Sequence, residues 1–238
     1  WNARINFECY APNAVARILD TKGKIVRITN NYGRISFNFG PTLLSWLEHA
    51  DPATYRAILE ADEVSRVRFG GHGSAMAQVH SHIIMPLANR RDKETQVRWG
   101  IADFEHRFGR KPEGMWLAET AADTETLEVL AENGMLFTVL APRQIRALRS
   151  AGEREWRPAH EGNLDTRQPY RCVLPSGRSI ALFFYNGELS QAVAFKGILN
   201  NGKHFAATLL DALDDNAEPQ LVHIATDGES YGHHHRYG

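Results

Sequence analysis

Short apolar runs alternate with longer amphipathic stretches along the chain, a pattern typical of strands that alternate with helices. The predicted strands cover residues 34–39, 113–118, 136–140, 171–174, 179–185 and 221–225. The predicted helices cover residues 42–49, 52–62, 91–108, 120–132 and most of 190–213. Pro175-Ser176-Gly177 separates two of the strands and indicates a hairpin. The alternation as a whole predicts βαβ units and a parallel sheet.

Acidic residues directly follow two of the predicted strands. Glu119 comes after 113–118, and Asp227 and Glu229 come after 221–225. In parallel barrels the functional side chains lie at the carboxyl ends of the strands, so these acids are candidate site residues. Structural roles stay open for them as well: Glu119 would also suit the first turn of the next helix, and Asp227 with the following glycine would suit a turn.

Composition and charge narrow the possible functions. The chain has 238 residues, a length that fits one domain of the size of an α/β barrel. Lys and Arg number 27 against 28 Asp and Glu, so the net charge of -1 gives no reason to expect nucleic acid or a membrane as partner. No apolar run is long enough to span a bilayer. Cys9 and Cys172 form neither a disulfide framework nor a metal motif, so we expect free thiols and a cytoplasmic protein.

Paired carboxylates at two strand ends suit glycoside hydrolysis, in which one attacks or stabilises the sugar cation and the other protonates the leaving oxygen. Glu119 and Asp227 would serve in this way if they face each other across one cleft. Trp116 precedes Glu119 on the same predicted strand and is a candidate for stacking on a sugar ring. The sequence has no Gly-x-Ser-x-Gly motif and no recognisable cysteine nucleophile, so serine or cysteine hydrolase chemistry has no support.

The histidines are further candidate site residues. The main alternative to a role in binding sugar is that they hold a metal ion. His72 lies in a glycine-rich segment that lacks the lysine of a phosphate-binding loop. His80 and His82 share one face if their segment is extended, an arrangement that would suit a metal ion. The run 233–235 cannot direct all its side chains to one metal from regular structure, so it favours a single orienting or sugar-binding group, His233.

Several segments resemble the motifs of glycoside hydrolase family 57. Residues 114–119, Gly-Met-Trp-Leu-Ala-Glu, resemble its fourth-strand motif, in which the Glu is the catalytic nucleophile. Residues 226–233, Thr-Asp-Gly-Glu-Ser-Tyr-Gly-His, resemble its Asp-x-Glu-x-Phe-Gly-His motif, in which the Asp is the general acid/base and the Glu and His line the site. Residues 78–87 resemble a segment that carries a subsite histidine, here His82, and residues 35–48 resemble one bacterial branch of the family.

The resemblance implies a fold, an activity and a set of site residues. The fold would be α/β, an incomplete seven-stranded (β/α) barrel. The His-x-Gln-Pro type motif of the family's first strand is not found, so we expect residues 1–238 to be a barrel domain that lacks this strand and is part of a longer protein. The activity would be that of a retaining hydrolase or 4-α-glucanotransferase on α-glucans, with no metal or other cofactor. The catalytic residues would be Glu119 and Asp227, and the substrate-binding residues would be His72, His82, Trp116, Glu229 and His233.

Two other functions stay open on the sequence. A metal-dependent polysaccharide deacetylase uses a related barrel and needs an Asp and two His around a divalent ion. His80, His82 and Asp227 are available for such a site, but their spacing does not match the usual His-x-x-x-His ligand pattern. A non-catalytic relative would bind glucan without turnover, and the intact pair of Glu119 and Asp227 argues against it.

Overall fold

The computed structural model describes residues 1–215 and 218–236. The helices are α1 (Asn2–Ile5), α2 (Ala11–Ala14), α3 (Pro41–Ala50), α4 (Pro52–Arg68), α5 (Arg90–Phe108), α6 (Thr124–Glu132), α7 (Gly187–Phe195) and α8 (Gly202–Asp211). A π-helical turn, Asn6–Tyr10, joins α1 to α2. The strands are β1 (Ala16–Leu19), β2 (Ile25–Thr29), β3 (Ala77–Gln78), β4 (Met115–Trp116), β5 (Phe137–Leu140), β6 (Ala147–Leu148), β7 (Arg157–Pro158), β8 (Tyr170–Val173) and β9 (Ser179–Phe184).

A series of short parallel strands forms the centre of the α/β fold. β3 pairs in parallel with β4, and β5 pairs in parallel with β9. Isolated parallel bridges, Phe37 with Ala75 and Gly114 with Phe137, extend the series and connect its two halves. β8 pairs antiparallel with β9, on the edge of β9 that faces away from β5. The carboxyl ends of the parallel strands therefore lie along one edge, although the strands of the described residues form small sheets and not a closed barrel.

The main hydrophobic core lies between these strands and the helices that cover them. Its fully buried members include Val79, Met115, Leu117, Leu130 and Phe184. Helix α5 approaches β3 closely at Gly100, where an added Cβ would lie 2.1 Å from the backbone oxygen of Gln78. A glycine inside a helix costs about 1 kcal/mol relative to alanine, and here the close contact with the strand explains it.

A second core lies at the N-terminal side of the chain, where α3 and α4 pack on α2 through Leu44, Leu47 and Ile58. The α1 and π-helical segment adds Ile5, Cys9 and Tyr10. Phe37 borders both the main core and this second one. The N-terminal helices are thus packed against the same body as the parallel strands.

A buried ion pair fixes α4 to the segment that follows α5. Asp62, 2% exposed, accepts two hydrogen bonds of 2.8 Å from the guanidinium of Arg110. The same carboxylate accepts a hydrogen bond from the backbone N–H of Ala75, just before β3. An added Cβ at Gly73 would lie 2.2 Å from Asp62, so the glycine leaves room for this network. Buried charges are tolerated when they are paired in this way.

The structure confirms the predicted elements that carry strong local signals. Helix α5 matches the predicted 91–108 closely, and β8 and β9 form the predicted hairpin. Asn89 caps the start of α5 and Gly109, with φ of 63°, ends it in the left-handed conformation. The predicted helix 120–132 begins only at Thr124, because Asp123 caps it. The predicted helix over 190–213 is two helices, α7 and α8.

Three predicted strands are wrong or much shorter than expected. Residues 34–39 contribute only the bridge at Phe37, and residues 113–118 contribute only β4 and the bridge at Gly114. Residues 221–225 form no strand in the described structure, because their backbone groups bond singly to loops and helices. The oxygen of His223 accepts from Asn186 N–H, and Ala225 N–H donates to the Ser190 hydroxyl. The β1–β2 hairpin was not predicted, and its apolar side chains are largely exposed.

No helix within the described residues is both long enough and apolar enough to cross a membrane. Both cysteines are unpaired, with Cys9 buried and Cys172 half-buried.

Candidate functional site

Glu119 lies on a strained turn at the carboxyl end of β4. The strand runs into a 3-10 turn, Ala118–Thr120, in which Glu119 has φ of 54° and Thr120 has φ of 55°. His82, after β3, has φ of 42°, and these three are the non-glycine residues with positive φ in the described structure. Such conformations cost about 1–3 kcal/mol each and are characteristic of functional sites. Their occurrence at one edge of the sheet marks this edge as the candidate site.

The carboxylate of Glu119 projects into solvent beside His82. The Nε2 atom of His82 lies 3.7 Å from a carboxylate oxygen of Glu119, and the two side chains are 63% and 76% exposed. An exposed pair at this distance contributes little to stability. The arrangement therefore presents an accessible carboxylate and an imidazole together at a strand end, where a ligand can reach both.

A buried lysine anchors the chain just beyond this turn. Lys93 on α5 is 1% exposed and donates hydrogen bonds of 2.8 Å to both Asp123 and Glu125. Burial acts to lower the pKa of Lys93, but the two carboxylates outweigh it and leave the pKa above its usual value. Asp123 also caps α6 by accepting from Thr126 N–H, so one carboxylate ties α5 to the start of α6. These bonds fix the chain directly after the turn that carries Glu119.

Asp227 lies on the C-terminal segment, where it precedes a second 3-10 turn, Gly228–Ser230, and is exposed. Glu229 in this turn is half-buried and accepts a hydrogen bond of 3.1 Å from the hydroxyl of Tyr10. Burial raises the pKa of Tyr10, and the nearby carboxylate of Glu229 raises it further. Tyr10 therefore stays protonated, and its hydroxyl donates the hydrogen bond that fixes the Glu229 carboxylate.

His233 is oriented by a carboxylate from the N-terminal helical segment. Its Nδ1 atom bonds to the carboxylate of Glu8, and this hydrogen bond lowers the pKa of Glu8. The backbone N–H of His233 donates to the sulfur of Cys9 at 3.2 Å. An added Cβ at Gly232 would lie 2.0 Å from the oxygen of Glu8, so the two segments are in close backbone contact. The segment that contains Asp227 is thereby fixed to the first helical residues of the chain.

The structure gathers the sequence-predicted residues into two groups. His82 joins Glu119, while Glu229 and His233 lie with Asp227 on the C-terminal segment. Within residues 1–215 and 218–236, no hydrogen bond or ion pair links the first group to the second.

Two predicted substrate residues take different positions. Trp116 lies in β4 and is half-buried, on the face opposite its fully buried neighbours Met115 and Leu117. His72 pairs with Glu113 at 2.8 Å. Both of those residues precede their strands, so His72 lies at the amino ends of β3 and β4, and the structure does not bring it to Glu119.

The metal alternative finds no ligand cluster in the part of the chain that the structure describes. No three His, Cys, Asp or Glu side chains there come together in a way that could hold an ion. His80 instead contacts the ring of Trp99, with ring centroids 5.5 Å apart.

Some residues around the site could not be identified from the sequence. Glu8 and Tyr10 contact residues of the C-terminal motif, and Tyr10 lies 219 positions before Glu229. Ile5 and Cys9, four positions apart and both buried, give a helical signal, but nothing local indicates what that helix contacts. Gln144, which donates a hydrogen bond to the backbone oxygen of Thr120, follows β5 in a turn that carries no motif.

Known proteins resemble this chain in sequence and in fold. The sequence profile described as glycosyl hydrolase family 57 matches residues 3–238. Alpha-amylase 1 of Dictyoglomus thermophilum is 27% identical over 198 residues, which are 83% of this chain. The exo-type maltose-forming amylase from Pyrococcus sp. ST04 superposes on 98% of the chain with a TM-score of 0.68 and 20% identity. The 4-alpha-glucanotransferase from Thermococcus litoralis superposes on 97% of the chain with a TM-score of 0.65 and 18% identity. At sequence identities this low, the two structural similarities show a shared fold.

The chain spans only part of each of these relatives. It covers 26% of the length of the Dictyoglomus amylase. It covers 35% of the Pyrococcus amylase and 31% of the Thermococcus glucanotransferase. Most of each relative therefore lies outside the matched region.

Proposed function

The chain belongs to glycosyl hydrolase family 57, and from that premise we propose that its protein is a retaining enzyme that acts on α-glucans. The reaction is hydrolysis or 4-α-glucan transfer, with Glu119 as nucleophile and Asp227 as general acid/base. The observation that carries the proposal is the position of Glu119, exposed on a strained turn at a strand end with His82 beside it.

The proposed mechanism has two steps. In the first, a carboxylate oxygen of Glu119 attacks the anomeric carbon, the glycosidic bond breaks, and Asp227 gives its proton to the departing oxygen. In the second, Asp227 takes a proton from water or a sugar hydroxyl, whose oxygen attacks the same carbon and releases Glu119. Water gives hydrolysis and a sugar hydroxyl gives transfer, with the α-configuration retained in both cases.

We propose His82, Trp116, Glu229 and His233 as the groups that bind the sugar around this centre. The exposure of His82 beside the nucleophile suits a hydrogen bond to a sugar hydroxyl. The half-buried ring of Trp116 on β4 suits stacking. His72 is left out of this set because it pairs with Glu113 at the opposite ends of the strands.

The incomplete seven-stranded barrel, the absence of a cofactor and a cytoplasmic location remain parts of the same proposal. The parallel order of the Phe37 segment, β3, β4, β5 and β9 is compatible with such a barrel. Two unpaired cysteines are compatible with a reducing compartment.

Kinetics of the intact protein on maltooligosaccharides test the catalytic assignment. We expect Glu119→Gln to abolish turnover and Asp227→Asn to lower kcat about 10²–10⁴-fold, because the first removes the nucleophile and the second the proton donor. Glu113→Gln is the matched control, since Glu113 lies at the other end of β4, and it should retain activity. Substantial turnover by Glu119→Gln would overturn the assignment. The products of the active protein then separate hydrolysis from transfer.

A further inference from the structure

A side-chain amide connects the turn of Glu119 to the loop after the next strand. Gln144 lies in the 3-10 turn Pro142–Gln144, which follows β5. Its Nε2 atom donates a hydrogen bond of 2.7 Å to the backbone oxygen of Thr120. Its Oε1 atom accepts a hydrogen bond of 2.6 Å from the backbone N–H of Ala141. The amide thus bridges two backbone groups that belong to different strand-end loops.

The backbone that Gln144 holds is the strained one. Thr120 is β-branched and buried, and a β-branched residue with φ of 55° is a true outlier. Such a conformation persists only when its surroundings over-determine it. Within the turn, Thr120 N–H donates to Leu117 and Ala121 N–H donates to Ala118, both at 3.0 Å. These bonds engage the N–H groups, so the Thr120 carbonyl is oriented from outside the turn, by Gln144.

We infer that Gln144 is a positioning residue for the proposed nucleophile. It fixes the Thr120 carbonyl, and through it the left-handed backbone of Glu119, against the loop after β5. The inference rests on the proposed function, since it assigns Gln144 a role in the attack by Glu119. Gln144 acts through the backbone and is not itself a catalytic residue.

The role matters because attack on an anomeric carbon depends on alignment. Near-attack geometry requires reacting atoms about 3–3.5 Å apart, and a displacement of about 1 Å can cost about 10²-fold in rate. Glu119 is largely exposed, so its own side-chain packing does little to fix it. The position of Glu119 is fixed through its backbone, which belongs to the hydrogen-bonded turn. The hydrogen bond from Gln144 to the Thr120 carbonyl helps to fix that turn.

The test compares Gln144→Glu and Gln144→Met in the intact protein. Gln144→Glu keeps the size and an acceptor for Ala141 N–H, but places a carboxylate oxygen against the Thr120 carbonyl. Gln144→Met removes both hydrogen bonds with similar length. We expect kcat to fall about 10–100-fold in both variants. KM should stay within about threefold and Tm within a few degrees, because Gln144 is an exposed side chain.

An activated α-glucosyl fluoride supplies the readout that a purely structural role would not change. Fluoride departs without a proton from Asp227, so the rate of glycosyl-enzyme formation reports on Glu119 alone. The Gln144 variants should lose rate on this substrate, whereas Asp227→Asn should lose little in this step. Arg143→Ala is the control, because Arg143 is exposed on the same turn and should leave the rate unchanged.

Two results would overturn the inference even if Glu119 is the nucleophile. One is a kcat in both Gln144 variants within about threefold of wild type. The other is a lowered Tm with unchanged kcat and KM below that Tm, which would make the amide only structural. Glu119→Gln is measured alongside: if it retains turnover, the proposed function fails and the inference with it. If it is inactive while the Gln144 variants stay active, only the inference fails.

Discussion

At the scale of single residues, side chains of the N-terminal helical segment fix the polar side chains of the C-terminal motif through hydrogen bonds. Tyr10 is 8% exposed and donates to Glu229, while Glu8 bonds to His233. Both partners come from the N-terminal helical segment, and both targets belong to the motif that follows Asp227. Side-chain chemistry of the site motif is therefore set by residues that are remote in sequence.

Tyr10 makes a pH-dependent contribution to stability. Its pKa is raised in the folded protein by burial and by Glu229, above the ordinary value of 10.0. The contribution is fully present below about pH 10, and is lost as the pH rises, because the unfolded chain releases the phenolic proton first. We expect Tyr10→Phe to make the fall of unfolding free energy above pH 10 shallower, by up to about 1.4 kcal/mol per pH unit.

Urea unfolding measured from pH 8 to pH 11 checks this expectation. At pH 8 the Tyr10→Phe variant should be about 1 kcal/mol less stable, from the lost hydrogen bond to Glu229. An unchanged slope above pH 10 in the variant would show that Tyr10 does not keep its proton in the folded protein.

The sequence identified single residues where their chain position was the signal. The position of Glu119 directly after a buried strand makes it a candidate site residue, and its side chain is exposed at the strand end. The left-handed backbone of Glu119 and Thr120 could not be predicted from the sequence, since neither residue type favours this conformation. The contact of Gln144 could not be predicted either, because its partner is a backbone carbonyl whose position depends on the folded turn.

At the scale of elements, helix caps and ion pairs decide where the site loops begin and end. Asp123 ends the loop that contains Glu119 by capping α6, and it also pairs with the buried Lys93 of α5. The carboxylate therefore joins two helices next to the turn. Glu125, two residues further along the chain, shares the same lysine.

Substitutions at Asp123 separate its two roles. Asp123→Ala removes the cap, worth about 1 kcal/mol, and one of the two carboxylates of buried Lys93, so we expect a loss of about 2–3 kcal/mol. Asp123→Asn keeps the capping oxygen and should be about 1 kcal/mol less destabilising. Thermal and chemical unfolding of the two variants measure the difference. Equal destabilisation would mean that the cap contributes nothing and that the ion pair alone acts.

Elements with both a periodic pattern and explicit ends were predictable. Helix α5 has a capping Asn89 and a left-handed Gly109, and its predicted bounds hold almost to the residue. The segment 221–225 has the apolar composition of a strand, but within the described residues its backbone makes single hydrogen bonds and no ladder, although His223 lies beside the end of β9. Apolar composition indicates burial, whereas a strand also requires a neighbouring strand, and the local sequence does not specify which segment provides it.

At the scale of the whole molecule, the two ends of the described chain meet. The C-terminal segment around Gly232 lies against the backbone of Glu8, and His233 N–H bonds to the sulfur of Cys9. The cluster of Ile5, Cys9 and Tyr10 in this region is separate from the main core, and Phe39 beside it contacts Phe37, which borders the main core. The contacts of the C-terminal motif thus come from residues more than 200 positions away, so the sequence predicts the family motif but not the residues that pack against it.

Family membership and the fold agree with each other across nearly the full chain. The family profile covers residues 3–238, and the Thermococcus and Pyrococcus structures share the fold over 97% and 98% of the chain. The covalent reaction through Glu119 is proposed for the intact protein, because this chain covers 26% of the Dictyoglomus amylase.

Trapping the glycosyl-enzyme shows whether a covalent intermediate forms on Glu119. A fluorinated α-glucosyl fluoride, whose ring fluorine slows breakdown of the intermediate, is incubated with the intact protein, which is then digested and analysed by mass spectrometry. We predict one added sugar on the peptide that contains Glu119, absent from Glu119→Gln. A sugar attached to a different residue, or turnover with an inverted product and no adduct, would contradict the account.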